Sequence, residues 1–298
     1  MKYALFPGCT VQTEQYGYEL SVREVLPRLG VELVDLDGAS CCGFPTFSTT
    51  SPIGWKYLSA RSLALAERLG LDILPLCNSC HLSFCMVQRD CKNDGELRNL
   101  INQTLSIEGL EYRGESGIVH ILEVLHDHVG ADKIGETIVK SLKNLKFAAH
   151  PGCHAFRPSD LERTDDNEDP KKLDELISAL GAETLDYPEK KDCCGSHISI
   201  SEEMASLTIA GSKLKALSKH RFNGLVTTCP HCFKLFDSKQ GEIRSLMGDK
   251  TISVPVFYYT QLLGLALGIR PEKLGLHLNF SPVEKILTSV IGDVHGEN

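Results

Sequence analysis

Ten cysteines of this chain stand in two copies of one pattern. Cys9, Cys41, Cys42, Cys77 and Cys80 are matched by Cys153, Cys193, Cys194, Cys229 and Cys232. Pro7-Gly8-Cys9 returns as Pro151-Gly152-Cys153, and Cys41-Cys42-Gly43 returns as Cys193-Cys194-Gly195. Cys77-Asn78-Ser79-Cys80 returns as Cys229-Pro230-His231-Cys232, with 34 residues between the Cys-Cys and Cys-x-x-Cys motifs in both copies. Such sets of thiols serve an iron–sulfur centre, a zinc site or a thiol–disulfide pair, and isolated buried cysteines are the plain alternative. Five thiols per copy exceed the two of a redox pair and the four of a zinc tetrahedron. Two of the five are sequence neighbours followed by glycine, which suggests an unusual turn where Gly43 and Gly195 permit close approach or positive φ.

The elements that must position these thiols repeat as well. Tyr3–Phe6, Val31–Leu36 and Ile73–Leu76 read as short buried strands, and residues 14–29 and 52–69 carry helical apolar spacing. In the second copy the strands fall near Lys146–Ala149, Glu183–Asp186 and Leu225–Thr228, and the helices near 170–180 and 202–220. Strands alternating with helices predict an α/β fold of two duplicated halves, each a small parallel sheet with flanking helices. The strands of such a sheet share a direction, so each set of cysteines gathers at their carboxyl ends. The halves are expected to divide at 1–144 and 145–298. The acidic run Asp165-Asp166-Asn167-Glu168-Asp169-Pro170 reads as a surface loop inserted in the second.

Length and composition agree. The 298 residues, 42% hydrophobic and 23% charged, describe an ordinary globular protein of two domains. A net charge of −8 argues against a nucleic-acid backbone as partner. The N-terminus lacks the features of a signal peptide, and the longest apolar stretch, near Leu262 to Ile269, is far too short to span a membrane. A cytoplasmic location is therefore expected, and there twelve cysteines suit metal ligation better than disulfides.

Phe6-Pro7-Gly8-Cys9, Cys41-Cys42-Gly43-Phe44-Pro45 and Cys77-Asn78-Ser79-Cys80, with their second copies, resemble the paired cysteine-rich (CCG) domains of the B-subunit family of heterodisulfide reductases from methanogenic archaea. The resemblance covers essentially the whole chain. Related CCG domains occur in lactate, glycolate and succinate or fumarate oxidoreductases, many with a fused ferredoxin segment that this chain lacks. It implies two noncubane [4Fe–4S] clusters, one held by Cys9, Cys41, Cys42, Cys77 and Cys80 and the other by Cys153, Cys193, Cys194, Cys229 and Cys232; zinc in one half is the alternative. It further implies reduction of the coenzyme M–coenzyme B heterodisulfide by paired one-electron steps, in methanogenesis. The expected partners are the flavoprotein and ferredoxin-type subunits of a heterodisulfide reductase complex, with a hydrogenase or formate dehydrogenase module upstream.

Around the thiols, His81, His154, His197 and His231 flank cysteine motifs. Of these, His154 and His231 are the candidate proton donors to a leaving thiolate. The substrate's sulfonate, phosphate and carboxylate call for local positive charge, for which Arg157 and Lys234 are the candidates and Lys213 a weaker one. Cys85 and Cys91 have no counterpart in the second copy and read as helix cysteines packed near the first set. His120, His126 and His128 read as surface or packing residues.

Overall fold

A computed structural model describes residues 1–161, 164–220 and 222–292. The sequence expectation that the second half runs to residue 298 therefore reaches beyond the described residues. Two parallel sheets are present, β2-β1-β3 and β5-β4-β6-β7. The strands are β1 (Lys2–Phe6), β2 (Glu32–Asp35), β3 (Asp72–Pro75), β4 (Lys146–His150), β5 (Glu183–Thr184), β6 (Gly224–Thr227) and β7 (Val256–Tyr258). β1, β3, β4 and β6 are buried along nearly their whole length, as strands of a sheet covered on both faces must be.

The helices 52–69 and 203–219 lie where the apolar spacing predicts. The expected helix over 14–29 is interrupted at Gln15, which leaves the helical region between Cys9–Glu14 and Tyr16–Val25, and it ends in a tight turn at Leu26–Leu29, where Pro27 stands at the start and Gly30 closes it at φ 76°. β7 lies outside the sequence expectation: three residues running straight into a helix are too few to show a strand period. Its counterpart in the first half is a single bridge, Ile73 to Ile118.

The halves are bound by reciprocal exchange. The helix Tyr16–Val25 of the first half packs on Tyr259–Ala266 of the second. It buries Tyr18, Ser21, Val22 and Val25, which share one face of a 3.6-residue helix. Tyr18 stacks on Tyr258, which stacks on Phe233, each with ring centroids 4.0 Å apart. The Tyr18 hydroxyl donates to the Thr228 carbonyl at 2.9 Å, and Ser21 and Thr260 share a hydrogen bond of 2.7 Å. In return, residues 121–137 pack on the helix Lys172–Ala179, where His126 contacts Glu175 at 2.6 Å. One apolar cluster therefore contains residues of both halves, from Tyr3 and Val22 to Phe257 and Leu262. A second, smaller cluster lies within the first half, around Phe6, Trp55 and Phe84.

Candidate metal centre

Each strand end delivers a cysteine by the same local device in both halves. After β1 and β4, Pro-Gly turns the chain at φ 79° (Gly8) and 78° (Gly152), and Cys9 and Cys153 begin short helices. After β3 and β6, Cys77 and Cys229 are the extended residues that precede helices, so Cys80 and Cys232 lie one turn further along. The Cys-Cys steps are followed by Gly43 at φ 83° and Gly195 at φ 86°, the second of the two uses the sequence allows for these glycines. There the amide of Gly43 donates to Cys41 Sγ at 3.4 Å and that of Gly195 to Cys193 Sγ at 3.3 Å.

The structure brings both predicted sets together. Cys41 and Cys9 Sγ lie 3.5 Å apart, Cys42 and Cys80 3.3 Å, and Cys153 and Cys193 3.9 Å, all as free thiols. In each set three thiols are buried (Cys42, Cys77, Cys80; Cys194, Cys229, Cys232) and two lie toward the surface. Hydrogen bonding with Cys41 and Cys80 pushes the Cys42 thiol down to about 5. That with Cys153 and Cys194 lowers Cys193 likewise. Within each set the contact lowers one thiol and raises its neighbours, Cys41 and Cys80 beside Cys42 and Cys153 and Cys194 beside Cys193, as crowded thiols that share protons must. Five convergent thiols per half, with the glycine backbone of Gly8 and Gly152 drawn close to Cys80 and Cys232, fit an iron–sulfur or other thiolate-held metal centre.

The two sets are not separate sites. Cys77 and Cys229 meet where the halves join, and their interaction lowers the Cys77 thiol and raises that of Cys229. Asn78 donates to the Pro151 carbonyl at 2.8 Å, tying one Cys-x-x-Cys to the other half's Pro-Gly-Cys turn. Over this seam His154, His197 and His231 form a chain with centroid spacings of 4.6 and 5.4 Å. Facing them from the first half are Ser79, 3.2 Å from His154 and 2.8 Å from His197, and Thr10, 3.5 Å from His231. Burial, then the neighbouring His231, lowers the pKa of His197. Burial also opposes charge on His231, but the Cys77 thiol outweighs it and raises that ring.

A cavity of about 300 Å³ opens beside the seam, with Thr10, Pro45, His197, His231, Lys234 and Lys239 on its wall. Lys234 is thus near the imidazoles, paired with Glu14 of the first half at 2.5 Å. Arg157 is exposed, its guanidinium over the Phe156 ring at 5.0 Å, and it lines neither this cavity nor the small one between the thiol sets. Lys213 is buried behind the second set, and burial pulls it down to about 8.

His81 is buried and meets His120 edge-on at 5.1 Å; His120 contacts Asn78 at 2.9 Å, closer to the thiols than a surface residue would be. Cys91 lies eleven residues beyond Cys80 on one helix, about 16 Å along its axis. It is buried in the smaller apolar cluster, and burial pushes its thiol up to about 11. Cys85 is turned away from Cys80 by the helical period and lies 3.9 Å from His81. His150 is a site residue that motif spacing does not single out. Its signal is visible in the register: it occupies the position before Pro-Gly-Cys that Phe6 occupies in the first half.

Fold and site together define a duplicated α/β protein that brings two sets of five cysteines against one another. A family model described as a cysteine-rich domain, CCG, matches residues 3–85 and 147–237. The chain belongs to this CCG family, in the group that contains the B subunits of heterodisulfide reductases. It is 38% identical over 281 residues to the B subunit of ferredoxin:CoB-CoM heterodisulfide reductase from Methanosarcina mazei, covering 93% of each chain. It is 30% identical to the 8-methylmenaquinol:fumarate reductase membrane anchor subunit of Wolinella succinogenes, covering 96% of this chain and 99% of the other. Among solved structures, a hypothetical protein from Helicobacter pylori shares the fold at a TM-score of 0.77 and 16% identity, covering 95% of this chain and 52% of that one. No helix among the described residues is long and apolar enough to cross a membrane.

Proposed function

We propose that this chain is the catalytic subunit of a heterodisulfide reductase, which cleaves the coenzyme M–coenzyme B disulfide to its two thiols. The observation that carries the proposal is the meeting of two five-thiol sets at one seam, Cys77 against Cys229, beneath three imidazoles. Cys9, Cys41, Cys42, Cys77 and Cys80 would hold one noncubane [4Fe–4S] cluster, and Cys153, Cys193, Cys194, Cys229 and Cys232 the second. When bound, the two clusters supply one electron each.

Cleaving the S–S bond takes two electrons and two protons and leaves two thiols, so one centre alone would leave the reaction half complete. His231 and His154 stand over the seam as proton donors, and Ser79 and Thr10 hold their rings in place. Lys234 and Lys239 stand on the cavity wall with Glu203, paired with Glu14 and Glu242, and would exchange those carboxylates for the substrate's anionic groups. Arg157, exposed above Phe156, would act only on a part of the substrate that extends outside that cavity. Electrons would come from the flavoprotein and ferredoxin-type subunits of the complex, fed by a hydrogenase or formate dehydrogenase module. The two halves 1–144 and 145–298 would act as one unit in the cytoplasm.

The test is anaerobic electron paramagnetic resonance of the oxidised, iron-loaded chain with and without coenzyme M thiol. A signal that depends on the thiol is expected. The similarity to a fumarate reductase subunit favours a second reading, transfer of electrons between a flavoprotein and a quinone. A spectrum indifferent to the thiol but altered by a menaquinone analogue would select it.

A further inference from the structure

The two halves superpose their motifs but differ directly behind the thiols. In the first half Phe6 precedes Pro-Gly-Cys and meets Phe84 edge-on at 5.0 Å. The corresponding pair in the second half is His150 and Phe236, edge-on at 5.0 Å. An imidazole therefore stands where the first half has a phenyl ring, in an otherwise preserved contact.

This imidazole is 1% exposed, and one of its ring nitrogens lies within 4.8 Å of both Cys194 and Cys232 Sγ. Its two nitrogens are treated differently. Nδ1 is 2.8 Å from the Lys213 ammonium, which also donates to the carbonyls of Asp192 at 3.1 Å and Lys190 at 3.3 Å. Three acceptors take the three ammonium protons, so Nδ1 is an acceptor and the ring carries its proton on Nε2. Nε2 is buried and has no hydrogen-bond partner in the protein. A buried N–H donor in that state, on a ring that comes within 4.8 Å of two thiols, calls for a sulfur acceptor.

Resting on the reading that the second thiol set holds an iron–sulfur cluster, we propose that His150 donates Nε2–H to a sulfur of that centre, with Lys213 as the positioning residue that holds the tautomer. A donor hydrogen bond and a buried positive charge both favour the reduced, more negative form of a cluster. The second centre therefore has the higher reduction potential of the two, and an electron entering the chain settles there first. The first centre, backed by Phe6 and the Trp55–Ser83 hydrogen bond of 2.6 Å, has no such donor at the corresponding position.

The experiment is a spectroscopic redox titration of the anaerobic, iron-loaded chain, without substrate. Two one-electron waves are expected. His150→Phe should lower the upper wave by a tenfold or greater change in its reduction equilibrium, about 59 mV for one electron, and leave the other in place. Lys213→Met should move the same wave in the same direction by less. A variant lacking Cys194 (Cys194→Ala) identifies the wave, because the upper one should be missing from it. Unchanged waves in both variants at full iron content overturn the assignment. Loss of the second centre's iron from both would also overturn it, marking the pair as needed for folding rather than for potential. Failure of the heterodisulfide reading would leave this shift intact, whereas a wild-type chain without iron and sulfide would remove both.

Discussion

The two halves carry the same thiols on the same turns, yet at the seam they offer opposite chemistry. Thr10, Pro45 and Ser79 of the first half occupy the motif positions that His154, His197 and His231 occupy in the second. Among the described residues the imidazoles over the seam thus come from one half, and the small neutral residues of the other fill the space against them, two of them in contact with the rings. Behind the thiols the same polarity recurs, with Phe6 opposite His150. Duplication has kept the cysteine geometry and has let the surroundings diverge. Imidazoles and buried positive charge accumulate in the second half, while the first supplies matching thiols in an apolar setting.

The strongest way to break this comparison is to remove one centre at a time. Cys80→Ala and Cys232→Ala should each lower iron from about eight to about four atoms per chain and each abolish two-electron reduction. Residual turnover above a few per cent in either would mean that one half suffices. Next in size are the seam imidazoles. His231→Gln should lower turnover roughly 10²-fold with iron content preserved, whereas Ser79→Ala, the same motif position in the first half, should lower it several-fold at most.

The Pro-Gly-Cys turns sharpen the contrast in stability. A methyl group at Gly152 would meet Asn78 Nδ2 at 2.7 Å, while at Gly8 the nearest atom would be Cys80 Sγ at 3.3 Å. Both glycines have positive φ, so both substitutions strain the backbone, but only Gly152→Ala also pushes the halves apart. Denaturant unfolding should show losses of about 2–4 kcal/mol for Gly152→Ala and about 1–2 kcal/mol for Gly8→Ala.

The smallest effect concerns the outer contact between the halves. Partial burial opposes charge on His126, but its hydrogen bonds to Asp127 and Glu175 prevail and raise its pKa. A raised histidine contributes stability that is complete below its unfolded value, about 6.5, and is lost as pH rises through the folded value. His126 is half-buried but its carboxylate partners are exposed to solvent, so screening keeps the contribution to about 0.5 kcal/mol. His126→Gln should flatten the decline in stability above neutral pH, measured as the denaturant midpoint from pH 6 upward.

The sequence is most legible where chemistry demands repetition. Cysteine spacing locates all ten convergent thiols and the glycine turns, because ligands and positive φ restrict residue type. Strands β1, β3, β4 and β6 are readable because both faces are buried, so apolar runs stand out. The reciprocal packing of Tyr16–Val25 on Tyr259–Ala266 is hidden, since an amphipathic stripe does not say which surface it meets. His150 and Lys213 are hard to value from sequence for a similar reason. Their meaning lies in a contact between residues 63 positions apart, which no local spacing encodes. Arg157, close behind the Cys153-His154 pair, looks near the site in sequence, but the chain turns outward there and leaves it exposed.

The central claim is that two one-electron centres serve a single disulfide between them, and a single-turnover measurement tests it most directly. The anaerobic, iron-loaded chain is reduced, the reductant is removed, and coenzyme M–coenzyme B heterodisulfide is added. One equivalent of each thiol should be released per chain without any other protein present, and a mixture of the Cys80→Ala and Cys232→Ala chains should release none. No thiol from the wild-type chain, or full release from the mixture, would contradict the account.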